Sequence, residues 1–356
     1  MIQKVKMALR PKTPSQITTS VNQSNSGVAG ATHGFASGIT GGTGGTGGEE
    51  EELIIKGGFH ISIGGRYIFS GKKIGSGSFG DVYYGIDKHK NEKGRNQLVA
   101  IKLEKAGQKF SMNDHEREMY DVLYEKNRGI AKLFWSGIQG DYHVLVMELI
   151  GPSLDQLFKI CQERFTLSTV ALIGKQILKI INYIHSKGVL HRDIKPDNFL
   201  VKINTNVLYT IDMGLCKKFI TDDKKHIPFI KTKKFVGTPR YASINSHRGM
   251  ELSRRDDLES ILYMLIYFAK GRLPWQGLPN PQGVDPKQLI YQSKVKTPVS
   301  KLCLGMPYEF VEMAEYIRGL EFTTQPNYRY LYGLLDSVQK KCCNDSTNYD
   351  WNNLGN

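Results

Sequence analysis

The sequence predicts an α+β fold of two lobes, in which a small antiparallel-sheet lobe with one main helix precedes a larger, mainly helical lobe. Strand-like runs lie at residues 67–104 and 133–150, and one helical pattern separates them. After residue 151 the chain changes to loops and to apolar stretches at helical spacing. A chain of 356 residues, 40% of them hydrophobic, is long enough to bury a core in each lobe.

Residues 1–63 are predicted to be a disordered, low-complexity N-terminal extension. Residues 16–48 are rich in Ser, Thr, Asn and Gly and poor in large apolar side chains, so burial could not offset the entropy lost on folding. The first 48 residues carry four basic and no acidic side chains, and we interpret them as a solvated tail, with a targeting segment as the alternative. The folded domain is predicted at 64–353, with the small lobe at about 64–150 and the large lobe at about 151–353.

The small lobe is predicted from three strands in residues 67–104, a helix over 111–126 and two further strands in 133–150. Gly151-Pro152 then marks a hinge between the lobes. Ser153 is a candidate N-cap for a short helix that runs through Cys161.

The large lobe is predicted to contain a helix over 167–187, which Gly188 can end. Its apolar side chains recur at helical spacing and are interpreted as core: Val170, Ile173, Ile177, Ile180 and Ile184. The longest apolar run, residues 261–269, has nine residues and is far too short to span a membrane. It predicts a buried helix.

The composition indicates an intracellular protein, expected in the cytoplasm or nucleus and as a monomer. Its five cysteines form an odd, scattered set that suggests reduced thiols: Cys161, Cys216, Cys303, Cys342 and Cys343. No Cys/His pattern has metal-ligand spacing, and no secretory signal is evident. The formal net charge of +14 permits nonspecific contact with nucleic acid, but no nucleic-acid recognition motif or stacking platform accompanies it.

A glycine-rich loop occupies residues 75–82 with the pattern Gly-x-Gly-x-x-Gly-x-Val. Glycine lets the backbone approach phosphates closely, so that N–H groups can cover them. The pattern alone is a weak signal. Here it precedes a strand-like run that ends in Lys102 instead of leading directly into a helix, which argues against a dinucleotide-binding unit.

Lys102 could pair with the α- and β-phosphates of a nucleotide if a carboxylate held its long side chain in place. The predicted helix over 111–126 can supply that carboxylate. Glu116 is the preferred candidate and Glu118 the alternative.

Two acidic loops downstream carry residue types suited to phosphoryl transfer. Asp193 and Asn198 lie five residues apart, and Asp212, followed by Met213-Gly214, comes 19 residues after Asp193. Asp193 can orient a hydroxyl and accept its proton, whereas Asn198 and Asp212 offer oxygen ligands for Mg²⁺. Lys195 can steady the transferred phosphate. Each residue alone is more often a turn, cap or solvated charge, but the ordered set is specific.

Four further motifs resemble one family. They are residues 147–154 (Met-Glu-Leu-Ile-Gly-Pro-Ser-Leu), 237–245 (Gly-Thr-Pro-Arg-Tyr-Ala-Ser-Ile-Asn), 253–260 (Ser-Arg-Arg-Asp-Asp-Leu-Glu-Ser) and 273–278 (Leu-Pro-Trp-Gln-Gly-Leu). With the loops above, they resemble the protein kinase fold and, within it, the casein kinase 1 group of Ser/Thr kinases. Most protein kinases have Ala-Pro-Glu where this chain has Ser243-Ile244-Asn245, and that substitution resembles casein kinase 1.

The resemblance implies ATP and Mg²⁺ as cofactors, with Asp193, Lys195, Asn198 and Asp212 as the catalytic residues. It also implies a set of ATP-binding residues: Ile74, Gly75, Ser76, Gly77, Ser78, Phe79, Gly80, Val82, Ala100, Lys102, Glu116, Met147, Glu148 and Ile150. Met147 resembles the family's gatekeeper, which limits the depth behind the adenine. The backbone of Glu148 and Ile150 is expected to bind the adenine.

Charge predicts acidic or already phosphorylated protein substrates. Residues 217–240 hold eight basic side chains against two acidic ones, Asp222 and Asp223. In casein kinase 1, the positions of Arg240 and Gly277 bind a phosphate three residues before the target hydroxyl. A simple alignment puts Pro286 at the third position of that site, with Lys287 adjacent.

The resemblance also implies a second anion site at Arg192, Lys217 and Lys233. The alternative is that these basic side chains only solvate the loop.

Some departures from the family pattern bear on activity. Met213 replaces the family's Phe but is apolar and flexible, so it is expected to pack against the helix that carries Glu116. Cys216 is expected to be a buried, inert thiol. The family needs no phosphate on the segment that holds Thr221, Thr232 and Thr238. The family match ends near residue 352 without a long inhibitory tail, so the enzyme is expected to be constitutively active.

The alternative function is a pseudokinase scaffold that binds acidic or phosphorylated partners. Its signature would be the loss of Lys102, Asp193, Asn198 or Asp212, and the sequence retains all of them.

Overall fold

The computed structural model describes residues 61–77, 80–90, 94, 96–105, 112–202, 204–232, 234–279, 282–343 and 347–352. The predicted N-terminal extension therefore lies outside the described residues up to position 60. Ser78, Phe79 and Lys233, which the sequence placed in candidate sites, also lie outside them.

The small lobe is a six-stranded antiparallel sheet with the strand order β1-β2-β3-β4-β6-β5. The strands are β1 (Ile61–Ile63), β2 (Tyr67–Gly77), β3 (Gly80–Lys90), β4 (Asn96–Lys105), β5 (Leu133–Gln139) and β6 (Tyr142–Glu148). Helix α1 (Met112–Leu123) lies between β4 and β5 in the chain and contacts both β5 and β6. The predicted order of strands and helix is therefore found.

Strand alternation decides which side chains of β4 face the other lobe. Val99 and Ile101 pack in one core cluster, whereas Ala100 belongs to another with Met147. Because successive side chains of a strand point to opposite faces, Lys102 lies on the face of Ala100. The pattern thus directs the lysine toward the cleft.

The large lobe is built on two buried helices. Its helices are α2 (Leu154–Ile160), α3 (Leu167–Ser186), α4 (Ile244–His247), α5 (Arg254–Lys270), α6 (Pro286–Lys296), α7 (Val299–Leu302), α8 (Tyr308–Arg318) and α9 (Tyr328–Cys343). Helix α5 is buried from Asp256 to Ala269, and α3 packs against both α5 and α9. The apolar run at 261–269 is therefore the centre of this lobe.

Short strands place the loops of the cleft. They are β7 (Val189–Leu190), β8 (Phe199–Val201), β9 (Leu208–Thr210) and β10 (Lys217–Lys218), with β7 paired to β10 and β8 to β9. A 3₁₀ turn, Pro196–Asn198, leads into β8. The loops at 191–198 and 211–216 thus start and end in paired strands.

Helix α3 is long and apolar enough to cross a membrane by length and composition alone. Its apolar side chains instead fill the core cluster shared with α5 and α9, and Ile173, Ile177 and Ile184 are fully buried there. The stripe predicted from the sequence is therefore core packing.

The structure confirms the two-lobed fold and shifts some element boundaries. The helix predicted over 111–126 is described from Met112 and ends at Leu123, and the chain beyond it turns through left-handed backbone at Asn127 and Gly129. Strand β1 pairs Ile61 with Phe69 and lies upstream of the domain start predicted at Gly64. Ser153 caps α2 as predicted, in a reciprocal capping box with Gln156.

Gly174 allows α3 to approach α5 and α9 closely. A Cβ at this position would lie 2.6 Å from Leu335 Cδ1 and 2.9 Å from Leu265 Cδ1. We therefore expect Gly174→Ala to lower the free energy of unfolding by about 1–3 kcal/mol, measured by chemical denaturation. Gly333→Ala in α9 is the control, because nothing lies within 4 Å of its Cβ position, and we expect stabilisation of up to about 1 kcal/mol. A Gly174→Ala protein as stable as the wild type would contradict the packing of these helices.

Candidate active site

A cavity of about 590 Å³ opens between the lobes. Ten of the residues predicted from the sequence to bind ATP line it: Ile74, Gly75, Gly80, Val82, Ala100, Lys102, Glu116, Met147, Glu148 and Ile150. Lys195, Asn198 and Asp212 also line it, from the large-lobe side. Size and concavity suit a nucleotide-sized ligand.

The cavity has further lining residues that the sequence reasoning did not select. They are Leu149, Gly151, Ser153, Asp155, Gln156, Lys159, Asp197, Leu200, Ile211 and Thr238. Two of them had a usable signal, since Leu200 lies in β8 just after Asn198 and Ile211 directly precedes Asp212. The four from α2 and its cap carried none, because only the folded hinge turns this helix toward the cavity.

A buried ion-pair network joins the two lobes at the back of the cavity. Lys102 Nζ lies 3.0 Å from Glu116 Oε2 and 3.2 Å from Asp212 Oδ1. Burial alone would lower the pKa of Lys102, but the charges of Glu116 and Asp212 raise it. Burial, only partly offset by Lys102, raises the pKa of Glu116. The lysine is therefore held charged at the cavity wall.

The choice between the two candidate glutamates is made by the helix orientation. Glu116 is buried and contacts Lys102, whereas Glu118 pairs with Lys218 at 2.7 Å on the surface. His115 Nε2 also lies 2.7 Å from the carbonyl oxygen of Cys216. Helix α1 is thus tied to both the sheet and the segment that follows Asp212.

The loop that carries Asp193 is fixed from below by Asp257 at the start of α5. The backbone N–H groups of His191 and Arg192 donate to Asp257 Oδ2 and Oδ1 at 2.8 and 2.9 Å. His185 Nε2 also lies 2.8 Å from Asp257 Oδ2. Burial alone would raise the pKa of Asp257, but these contacts hold it below its ordinary value.

The loops that carry Asp193 and Asp212 each contain one residue with strained backbone. Arg192 has φ of +67° and Asp212 has φ of +66°, a left-handed conformation that is uncommon for residues with a side chain. At Gly237, φ is +95° and a Cβ would lie 2.7 Å from the carbonyl oxygen of Arg192. A glycine is therefore required where the 237–245 segment crosses the loop.

Asp193 is buried and held by three side chains. Lys195 Nζ lies 2.6 Å from Asp193 Oδ2, and the Asn198 amide donates to the Asp193 carbonyl oxygen at 2.8 Å. Thr238 donates its hydroxyl to Asp193 Oδ1 at 2.7 Å. The sequence places Thr238 in the 237–245 motif and among three threonines that need no phosphate, but it predicts no contact between Thr238 and Asp193.

Asn198 and Asp212, the two residues predicted to bind magnesium, both carry side-chain oxygens and belong to the wall of the cavity. Asp212 and Asn198 both line the cavity, and the Asp212 N–H donates to the Tyr120 hydroxyl at 3.1 Å. A carboxylate and an amide oxygen fit Mg²⁺, which commonly binds to one or two protein groups together with phosphate oxygens and water. No group of three or more His, Cys, Asp or Glu side chains suited to a metal occurs within the described ranges.

Met213 and Cys216 are both fully buried in the large-lobe core cluster, which also contains Met119 and Tyr120 of α1. Met213 thus packs in the same cluster as the helix that carries Glu116, as expected. Burial raises the pKa of the Cys216 thiol well above its ordinary value, which favours the unreactive thiol form.

The Ser243-Ile244-Asn245 motif is anchored to α5. Ser243 Oγ and Asn245 Nδ2 donate to Asp256 Oδ1 at 2.7 and 3.0 Å, and the Ile244 N–H donates to Glu259 Oε2 at 3.2 Å. Ser243 also caps α4. The motif is therefore a set of hydrogen-bond donors aimed at buried carboxylates.

The residues predicted to bind substrate phosphate are only partly brought together. The Arg240 guanidinium lies over the rings of Tyr241 and Tyr267 at 5.8 and 5.4 Å, and none of the described carboxylates forms an ion pair with it. Trp275, near Gly277 in sequence, donates its indole N–H to the Arg240 carbonyl oxygen at 2.8 Å. Lys287 instead lies over the ring of Phe235 at 5.2 Å.

The second predicted anion site already holds a carboxylate. Lys217 Nζ lies 2.8 Å from Glu251 Oε2, and Arg192 Nε donates to the Leu215 carbonyl oxygen at 2.7 Å. Any anion would compete with Glu251 for these cations. Their third predicted partner, Lys233, lies outside the described residues.

His247 predicts a stability change in mild acid. Burial and the nearby charge of Lys294 lower its pKa to about 4. The unfolded chain therefore binds more protons than the folded one between about pH 6.5 and pH 4, so stability falls as the pH falls through this window. In denaturant titrations we expect the wild type to lose about 2–3 kcal/mol more stability across this window than His247→Gln does, which isolates the imidazole from other groups that titrate there, such as Asp256. Equal acid sensitivity of both proteins would contradict a half-buried imidazole that stays neutral in the folded state.

Comparison with protein families gives one match. A family model described as "Protein kinase domain" matches residues 69–312. The match covers more than half of the chain and includes Lys102, Glu116, Asp193, Asn198 and Asp212. The arrangement of these residues around the cleft agrees with it. The chain belongs to the protein kinase domain family.

Proposed function

We propose that this protein kinase is a catalytically active serine/threonine kinase of the casein kinase 1 type. It transfers the γ-phosphate of ATP to Ser or Thr of acidic or already phosphorylated proteins. The observation that carries the proposal is the complete set of charged groups around one cleft, with Lys102 paired to Glu116 and Asp193 paired to Lys195.

The cavity supports nucleotide binding through its two kinds of wall. Apolar side chains from both lobes, Val82, Ala100, Met147, Leu200 and Ile211, can enclose an adenine ring. The Lys102 ammonium lies deeper and can neutralise phosphate oxygens. Mg²⁺, when bound between Asn198 and Asp212, would supply charge neutralisation for the phosphates.

Asp193 is placed to act on a substrate hydroxyl. Its Oδ1 accepts a hydrogen bond from the Thr238 hydroxyl, and this contact supports Asp193 as the acceptor for a substrate hydroxyl. Lys195 Nζ lies 2.6 Å from Oδ2 and is close enough to stabilise negative charge that develops on the transferred phosphate. The substrate hydroxyl would lose its proton to Asp193 as its oxygen bonds to the γ-phosphorus of ATP and the bond from that phosphorus to the leaving ADP oxygen breaks.

Three contacts support activity without phosphorylation of the activation segment. Helix α1 is held toward the cleft by Lys102–Glu116, His115–Cys216 and Lys218–Glu118. These contacts involve no phosphorylated residue. The position of α1 in which Glu116 pairs with Lys102 therefore requires no phosphorylation of the chain.

Support for the casein kinase 1 type comes from the motif anchored to Asp256 and Glu259, and support for acidic substrates comes from Arg240. The guanidinium belongs to the segment that also contributes Thr238 to the cavity wall, and it has no carboxylate partner among the described residues, so a substrate phosphate or carboxylate could pair with it. Lys287 contributes less than Arg240 to the binding of an acidic substrate, because the Lys287 ammonium lies over the ring of Phe235.

Paired peptides test catalysis and priming together. One peptide carries phosphoserine three residues before the acceptor, and the other carries plain Ser there. We expect Asp193→Asn to lower kcat by at least about a hundredfold for both peptides, because it removes the proton acceptor. Asp193 does not line the cavity, so nucleotide-induced thermal stabilisation should persist in this variant.

Arg240→Ala should lower kcat/KM about tenfold or more for the phosphorylated peptide only, as expected for a lost hydrogen bond to a charged group. Arg248→Ala is its control, since Arg248 is an exposed arginine whose Nε donates to Tyr291. A wild type that transfers no phosphate to either peptide or to itself would favour the scaffold alternative, and Met213→Phe would then test whether Met213 is the cause.

Activation without phosphorylation has its own test. Thr221 lies in an exposed turn and bonds within that turn, and Thr232 bonds to the Gly249 carbonyl oxygen. We expect Thr221→Ala and Thr232→Ala to keep activity within about threefold, since a lost neutral hydrogen bond costs only about 0.5–1.5 kcal/mol and neither threonine lies in the cavity. Phosphatase treatment of the wild type, followed by rate measurement, should have no larger effect. A tenfold loss in either experiment would overturn constitutive activity.

A further inference from the structure

Lys294 of α6 is a fully buried lysine outside the catalytic cleft. Its ammonium donates to the carbonyl oxygens of Pro239 and Ala242 at 2.8 and 2.5 Å. It also lies over the rings of Tyr263 and Trp275 at 5.0 and 5.1 Å. A buried charge is costly unless its donors are satisfied, so a lysine here requires an explanation beyond packing.

The two backbone carbonyls that Lys294 binds belong to residues on either side of Arg240 in the chain. Between the two carbonyls bound by Lys294, the Arg240 carbonyl oxygen accepts the indole N–H of Trp275 at 2.8 Å. Three carbonyls in residues 239–242 are therefore fixed by side chains of the large-lobe interior. We call Lys294 and Trp275 the backbone clamp.

The clamp sets the direction of the Arg240 side chain. With its carbonyl turned inward, Arg240 extends its guanidinium over Tyr241 and Tyr267, where none of the described carboxylates pairs with it. Thr238, which directly precedes the clamped residues, donates its hydroxyl to Asp193. The clamp thus holds the cation at a fixed place relative to the group that would receive the substrate proton.

Burial makes the charged form of Lys294 less favourable than it would be in water. Glu259 of α5 is the buried carboxylate that acts on Lys294, and its own oxygens bind the Tyr263 hydroxyl and the Ile244 N–H. His247 of α4 lies 3.3 Å from the ammonium. Burial, partly offset by Glu259, lowers the pKa of Lys294 to about 7.

We propose that Lys294 is a positioning residue for substrate recognition: with Trp275 it fixes the 239–242 backbone and thereby aims Arg240 at an acidic group of the peptide substrate. The inference rests on the proposed function, because it assigns Arg240 to substrate binding. Lys294 itself touches neither substrate nor nucleotide.

Steady-state kinetics with two peptides tests the clamp. The peptides share a Ser acceptor and differ only in having Asp or Asn three residues before it. We expect Lys294→Met to raise KM for the Asp peptide about tenfold, with kcat within about threefold and KM for ATP unchanged. KM for the Asn peptide should change by less than about threefold. Lys296→Met is the matched control on α6, since Lys296 is exposed, and it should leave both KM values unchanged.

A double-mutant cycle separates positioning from a general structural effect. Because Lys294 acts through Arg240, Lys294→Met/Arg240→Ala should have the same KM for the Asp peptide as Arg240→Ala alone. Effects that multiply would overturn the proposal. So would a folded Lys294→Met protein that keeps the wild-type ratio of the two KM values.

Trp275→Phe provides a second variant in case Lys294→Met does not fold. It keeps an aromatic ring in the core but removes the N–H donor to Arg240 together with part of the indole, so the KM ratio should fall in the same direction but less. An unchanged ratio in Trp275→Phe would also overturn the clamp.

Anisotropy of the labelled peptides without ATP measures binding independently of catalysis. An inactive wild type that still binds the Asp peptide about tenfold more tightly than Lys294→Met would refute the kinase proposal but keep the clamp. Equal binding by both proteins would refute the clamp.

Discussion

Three buried carboxylates at the start of α5 hold the parts of the site that regular secondary structure does not. Asp257 binds the backbone of the loop that carries Asp193, Asp256 binds Ser243 and Asn245, and Glu259 binds the Ile244 N–H. Each acceptor satisfies donors on a segment without an extended hydrogen-bond ladder of its own. Because α5 is the buried central helix of the large lobe, hydrogen bonds to it restrict the movement of these segments.

Burial and hydrogen bonding shift the pKa values of Asp256 and Asp257 in opposite directions. Burial raises the pKa of Asp256 to about 6, whereas the contacts around Asp257 keep its pKa below the ordinary value. Neighbouring carboxylates on one helix turn thus differ because their donors differ. Asp257 receives backbone N–H groups and an imidazole, and Asp256 receives neutral side chains and one backbone N–H. The loop that carries Asp193 is consequently tied to the more strongly ionised of the two groups.

The lobes meet through a smaller set of charges. Lys102 contacts Glu116 from the helix of the small lobe and Asp212 from the large lobe. One ammonium group therefore forms ion pairs with both lobes. A nucleotide phosphate and Mg²⁺ would enter this network and share its charges. The left-handed backbone at Asp212 and Arg192 shows that the loops around it are over-determined by tertiary contacts, since isolated loops would relax from this conformation.

Short-range patterns in the sequence determined the order of the elements and most of the cleft. The glycine loop, Lys102, the 191–198 loop and Asp212 each lie in a local context of strand or turn, and period-2 alternation alone orients Lys102. Only the tertiary structure decided between Glu116 and Glu118, because both lie on one helix and its rotation depends on packing. Thr238 and Asp193 are 45 positions apart in the chain but form a hydrogen bond. Lys294 is 52 and 55 positions from the two carbonyl groups that it binds on either side of Arg240. Such pairs have no sequence signature, since their proximity follows from how α5 and α6 pack and not from spacing along the chain.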